Sequence, residues 1–177
     1  MRVFVAIFPP PDVRGALVDA ARALPTDAFR LTAPERVHLT LRFLGEVPSG
    51  DLPRLTSALG PIGRHGCPFD AATSGFGAFP SARRARVLWA GIGEGSEKLE
   101  DLARAVGALL EPEGFEPEDK PFVPHLTLGR ARRPVPFDPS DKALLPELRF
   151  PVRKIELVQS RHEASGLTYP SLAEYRL

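Results

Sequence analysis

The tetrapeptide HLTL stands at residues 38–41 and again at residues 125–128. Only four histidines occur in the chain, and two of them sit in these identical settings, 87 positions apart. In an extended strand successive side chains point to opposite faces. His38 and Thr40 therefore share one face, and Leu39 and Leu41 share the other. The same division holds for His125 and Thr127 against Leu126 and Leu128. The leucines suit a hydrophobic core, while imidazole and hydroxyl stand roughly 7 Å apart along the strand on an open face. A single histidine in a strand is commonly a structural hydrogen-bonding residue. Packing supplies no reason for the same polar pair to occur twice.

The sequence around each copy repeats as well. RVFVAIF, residues 2–8, is rich in β-branched and aromatic residues and runs into three prolines. Apolar residues at Val13, Ala16, Leu17, Ala20, Ala21 and Leu24 then follow at helical spacing. Pro11 and Asp12 suit a first helical turn, where a missing N–H costs nothing and an acid meets the positive end of the helix dipole. A loop at 25–34 leads to the first HLTL. In the second half RVLWAGI, residues 86–92, matches the opening strand, and Ser96 reads as the cap of a helix with apolar positions Leu99, Leu102, Ala103, Val106 and Leu110. A loop at 111–124 leads to the second HLTL. Arg2 lies 36 residues before His38, and Arg86 lies 39 before His125. Each half continues with a short helix (52–59 and 141–148) and a further strand (69–79 and 150–159). The expected organisation is one domain over 1–177, made of two β-α-β-α-β lobes at about 1–84 and 85–177, with strand exchange between lobes left open.

At 177 residues the chain can bury a core without staples. A net charge of +1 gives no global attraction to polyanions, so any such binding must rest on local clusters: Arg83, Arg84 and Arg86, or Arg130, Arg132 and Arg133. A lone Cys67 leaves no intrachain disulfide and no cysteine-based zinc site. The apolar run at the amino terminus is too short to cross a membrane. These features lead to the expectation of a cytoplasmic protein. GIGEGSEK, residues 91–98, lacks P-loop spacing and reads as a strand-to-helix turn. Arg64-His65-Gly66 has the form of a phosphohistidine motif but lies in a Gly/Pro-rich loop. Without HExxH or a cysteine set, and with threonine where zinc or iron sites want histidine or carboxylate, metal binding is a poor reading.

Two imidazoles facing one another across a groove suit a reaction in which one proton is removed and another delivered, since a histidine pKa near 6.5 lets both forms exist at neutral pH. The threonine hydroxyls can donate hydrogen bonds to ligand oxygens and fix orientation. A phosphate with two reacting oxygens in line and two at the sides would use all four groups, which points to phosphate ester chemistry without a metal or other cofactor.

With these residues assembled, the chain resembles the two-histidine phosphoesterase superfamily and, within it, the RNA 2′,3′-cyclic phosphodiesterases also called 2′-5′ RNA ligases. The likeness covers nearly the whole chain: RVFVAI at the start, HLTLRFLG at 38–45, RVLWAGI, FVPHLTLGR at 122–130, and the end at 160–166 and 169–177. It implies an α+β fold in which two pseudo-symmetric lobes, each an antiparallel sheet with helices on its outer face, flank a central V-shaped groove. It implies cleavage of a terminal 2′,3′-cyclic phosphate on RNA or nucleotides to a 2′-phosphate by a protein expected to be monomeric. His125 is then the general base that activates water, and His38 the acid that protonates the departing 3′ oxygen. Thr40 and Thr127 hold the non-bridging oxygens, and Arg130 neutralises developing charge. Strict alternation turns Arg130 away from the His125 face, so that role requires a bulge or a strand that ends at Gly129. Phe43 reads either as a base-stacking ring or as core, and Trp89 as packing within the sheet. The same acid and base would serve ligation, with a 5′ hydroxyl in place of water.

Two rival readings stand beside this one. Another cyclic phosphate, such as ADP-ribose 1″,2″-cyclic phosphate, would use the same four side chains. A non-catalytic nucleotide or RNA binder would not need both proton-transfer groups.

Overall fold

A computed structural model describes residues 1–116, 120–138, 145–164 and 166–177. Two antiparallel sheets and three α-helices form a mixed α+β fold among them. The opening strand β1 (Arg2–Ile7) leads to helix α1 (Pro11–Arg22), which has Pro11 and Asp12 in its first turn and buries Val13, Leu17, Val18 and Ala21. The two-residue strand β2 (Arg30–Leu31) precedes a 3-10 turn at Pro34–Arg36 and strand β3 (Leu39–Glu46), which carries the first HLTL. Helix α2 (Leu52–Leu59), strand β4 (Phe69–Phe79) and strand β5 (Ala85–Ile92) follow at the places the repeat suggests.

Helix α3 (Ser96–Leu110) buries Leu99, Leu102, Ala103, Val106 and Leu110, the whole expected stripe, together with Gly107. Its cap differs from expectation. Gly95, not Ser96, is the N-cap, with φ +82° and no side-chain capping bond. A Cβ at Gly95 would come within 2.9 Å of the Asp70 carbonyl oxygen, so the tight passage between β5 and α3 requires glycine twice over.

The second HLTL opens strand β6 (His125–Val135). The single strand expected at 150–159 is two: β7 (Arg149–Val152) pairs with β4, and β8 (Lys154–Glu163) pairs with β1. Arg153 lies at the switch, donating to the Phe69 carbonyl and pairing with Asp70 at 2.8 Å. Both strands were apolar at alternate positions, so periodicity alone could not separate them. Half of the helix expected at 141–148 lies outside the described residues, and 145–148 are not helical. Strands β9 (Gly166–Thr168) and β10 (Ser171–Arg176) complete the chain.

The first sheet runs β10-β8-β1-β3 with β9 paired to β8, and the second runs β2-β6-β5-β4-β7. A division near residue 84 follows the sequence repeat, whereas the sheets exchange strands across it: β2 and β4 join the second sheet, and β8 to β10 return to the first. The helices cross over too. α1, which follows β1, packs on β2 and β6, while α3, which follows β5, packs on β3. One hydrophobic core built from both sheets and all three helices results, with Leu39, Leu41, Leu126 and Leu128 within it. Each such side chain contributes about 1.5–3 kcal/mol by leaving water. β3 and β6 lie against one another, which brings the two HLTL copies together.

Candidate active site

The leucines of both motifs are buried, and the histidines and threonines are partly open, as alternation requires. Each histidine is held in the same way. His38 Nδ1 lies 2.7 Å from the Arg36 carbonyl, and His125 Nδ1 lies 2.7 Å from the Val123 carbonyl, in both cases two residues upstream. A carbonyl can only accept, so Nδ1 carries the proton and donates it, and Nε2 is left as the reactive nitrogen. The Arg36 carbonyl is itself steadied by Arg14 of α1, which donates to the adjacent Glu35 carbonyl at 2.9 Å. On the other side the buried Arg42 of β3 donates to the carbonyls of Phe115 and Glu116 in the approach to His125.

Aromatic rings enclose both imidazoles. Phe4, Phe8 and Tyr169 surround His38 at centroid distances of 4.9, 5.4 and 5.0 Å. Phe79 and Trp89 flank His125 at 5.0 and 6.0 Å. Trp89, expected only to pack within the sheet, thus stands on the groove face. Its indole lies over Gly77, where a Cβ would come within 2.1 Å of the ring. These five aromatics were missed as site residues, although Phe4 and Phe8 share one face of the first strand by the same alternation that placed His38 and Thr40.

The enclosure has an electrostatic effect. Burial, followed by the charges of His125 and Arg130, overcomes the stabilising bond to Arg36 and lowers the His38 pKa to about 4. Burial and the Arg130 charge lower that of His125 as well. Both imidazoles are thus neutral at pH 7 before any anion arrives. β3 and β6 lie against one another, and the charge of Arg130 bears on both histidines and that of His125 on His38.

Arg130 reaches the side of the histidines through a bulge. Trp89 pairs with Thr127 but its neighbour Leu88 pairs with Gly129, so Leu128 is the extra residue and the alternation of β6 reverses beyond it. Arg130 consequently falls on the His125 face. β3 has the same irregularity: Ala6 pairs with Thr40 and Val5 with Arg42, leaving Leu41 as the extra residue. Phe43 then occupies, five residues after His38, the place that Arg130 occupies five after His125. It pairs with Phe4, whose ring packs on His38, so Phe43 lies on the groove side; 44% exposed, with Arg2 4.9 Å from its ring centre, it is not core. Neither the Thr40 nor the Thr127 hydroxyl has a hydrogen-bond partner among the described residues. His65 and Cys67 line a separate pocket of about 220 Å³. No group of three or more His, Cys, Asp or Glu that could hold a metal occurs among the described residues, nor does any helix long and apolar enough to cross a membrane.

Residues 9–164 match the 2′-5′ RNA ligase superfamily. The chain belongs to that family. A relative from Thermus thermophilus, an RNA 2′,3′-cyclic phosphodiesterase, is 37% identical over 182 residues, covering 100% of this chain and 90% of its own. Another of the same name from Archaeoglobus fulgidus is 37% identical, covering 75% of this chain and 74% of its own. Among solved structures, E. coli LigT in complex with 3′-AMP superposes with a TM-score of 0.81 at 28% identity, covering 99% of this chain and 97% of that one. The two-sheet α+β architecture is that of the family.

Proposed function

We propose that the protein hydrolyses 2′,3′-cyclic phosphates at RNA ends, leaving a 2′-phosphate, with His125 as general base and His38 as general acid and without a metal. The observation that carries this reading is the matched pair of imidazoles, each held by a carbonyl at Nδ1 so that Nε2 is left as the reactive nitrogen. Family membership and the names of the relatives support the choice of substrate.

Water lies against His125 Nε2, which takes its proton as the oxygen bonds to phosphorus. The bond from phosphorus to O3′ breaks, and His38 Nε2 supplies the proton to that oxygen. The products are a 2′-phosphomonoester and a 3′ hydroxyl, and the two histidines end with their protons exchanged. Each transfer is worth roughly 10²- to 10⁴-fold in rate. Thr40 and Thr127 donate to the two non-bridging oxygens, Arg130 balances the added negative charge, and Phe43, exposed at the rim, packs beside a base. With a 5′ hydroxyl in place of water the same transfers run toward a 2′-5′ linkage.

The test is incubation of chelator-treated protein with nucleoside 2′,3′-cyclic monophosphates and with RNA ending in a cyclic phosphate, followed by identification of the product isomer. The expected product is the 2′-phosphate, with His38→Ala and His125→Ala each severely impaired. Turnover only after divalent metal is added, or near-normal rates in either variant, overturns the mechanism. A 3′-phosphate product keeps the site but exchanges the roles of the leaving oxygens.

A further inference from the structure

A groove of about 1070 Å³ opens beside the two histidines, bounded by β2 and β6 on one side and by the β8–β9 hairpin on the other. Two of its residues also belong to the site: Tyr169 packs edge-on against His38, and Arg130 acts on both imidazoles. The groove therefore continues directly from the reacting phosphate. It carries four arginines, Arg30, Arg36, Arg130 and Arg132, against two carboxylates, Glu35 and Glu163. None of the four guanidinium groups has an ion pair among the described residues. Arg30 and Arg130 are cross-strand partners, which sets two like charges side by side with no acid between them.

Such an arrangement costs stability when empty, and it is relieved by an extended polyanion. At about 1070 Å³ the space reaches past the roughly 300–1,000 Å³ of ordinary small-molecule pockets. We propose that this groove binds the phosphodiester backbone of the RNA strand bearing the cyclic phosphate, on the 5′ side of its reacting end, so that the protein acts preferentially on oligonucleotides over mononucleotides. The inference rests on the RNA reading above and adds to it a second subsite built by Arg30, Arg36 and Arg132. Only part of the 130–133 basic cluster takes part. Arg83, Arg84 and Arg86 lie outside the groove, and Arg30 and Arg36 come from the first half of the chain.

Steady-state kinetics on a nucleoside 2′,3′-cyclic monophosphate and on a single-stranded oligoribonucleotide with the same end, each between about 50 and 200 mM salt, test the proposal. The oligonucleotide is expected to have the higher kcat/KM at low salt, through a lower KM, and to lose that advantage as salt rises. The mononucleotide stays nearly level. In the Arg30→Gln/Arg132→Gln double variant the logarithmic salt slope for the oligonucleotide falls by about 0.7 per arginine, with mononucleotide turnover unchanged. Equal kcat/KM for the two substrates at low salt, or an unaltered slope in the double variant, overturns the groove. Turnover of neither substrate overturns the hydrolytic reading instead. The groove then stands or falls on anisotropy of a 5′-labelled oligonucleotide: weaker, less salt-sensitive binding by the double variant supports it, and equal binding refutes it.

Discussion

Opening the aromatic enclosure of His38 should raise the activity that the enzyme keeps at neutral pH. The acid of the proposed mechanism has a pKa of about 4 in the empty site, chiefly because Phe4, Phe8 and Tyr169 exclude water from its charged form. At pH 7 only about one molecule in a thousand holds a proton on His38. His125 is also lowered, so above its pKa, below 6.5, the base is already neutral and every further unit of pH removes about nine-tenths of the remaining protonated acid. The kcat/KM profile is therefore expected to fall on its alkaline side from below pH 6.5, about tenfold per unit, with limbs that belong to the coupled pair. Phe8→Ala removes one of the three rings and admits water beside the imidazole. Relief of part of the burial raises the His38 pKa, and each unit gained gives about tenfold more protonated acid at neutral pH.

The assay is kcat/KM for a nucleoside 2′,3′-cyclic monophosphate across pH, with histidine titration by NMR in both proteins. In Phe8→Ala the His38 titration should move upward and kcat/KM along the alkaline limb should rise in step with it. A wild-type kcat/KM that is flat or rising from pH 6.5 to 8.5 would refute the reasoning, as would a limb that stays in place while the His38 titration moves. Bound phosphate adds a negative charge beside both imidazoles, so the corresponding limb of kcat is expected at higher pH than that of kcat/KM.

Burial of a neutral His38 also has a thermodynamic cost on acidification. Its folded pKa lies below its unfolded value of 6.5, so the unfolded chain binds the proton first and stability declines as pH falls from about 6.5 toward 4. Urea unfolding should show a loss approaching 1.4 kcal/mol per unit from this group, with a smaller slope in His38→Gln; equal slopes would contradict the assignment. Thr40→Val and Thr127→Val should each lower kcat/KM by about 10- to 100-fold through loss of a hydrogen bond to a charged oxygen, without a comparable loss of stability; unchanged kinetics would remove the hydroxyls from the site. Gly77→Ala drives a methyl group into the indole of Trp89, the one tryptophan in the chain. Its fluorescence should shift to the red and KM should rise, whereas unchanged emission and KM would show that the ring does not depend on that support.

Much of the fold was legible because it depends on local pattern. The strand and helix stripes around each HLTL are periodic, and the helices at 52–59 and 96–110 and the strand at 69–79 stand where their apolar spacing puts them. Sheet membership was not legible. Whether residues 150–152 and 155–158 belong to one strand or two is decided at Arg153 by partners about eighty residues away, Phe69 and Asp70. The cap at Gly95 escaped because a serine follows it, and a side-chain cap is the more familiar signal than a positive-φ glycine with no room for a Cβ beside Asp70 and Ala71.

The bulges at Leu41 and Leu128 carry the remaining step. Alternation from His125 places Arg130 on the wrong face, and alternation from His38 does the same to Phe43. A single extra residue at the fourth position of each motif corrects both, and it leaves the leucines buried because the extra residue is itself a leucine. The sheets thus repeat down to an irregularity that no hydrophobic period can reveal. The repeat ends at the side chains that it delivers: past the bulge one strand presents an aromatic ring and the other a guanidinium group. A site whose two histidines are held alike is in this way made unlike at its two rims. The cationic rim at Arg130 runs on into the arginine-lined groove, whereas the rim at Phe43 is aromatic and exposed. If the strand lies along the arginine groove as proposed, a cyclic phosphate between the two histidines has a cationic side toward Arg130 and an aromatic side toward Phe43, and the position of the product phosphate reports which way it lies.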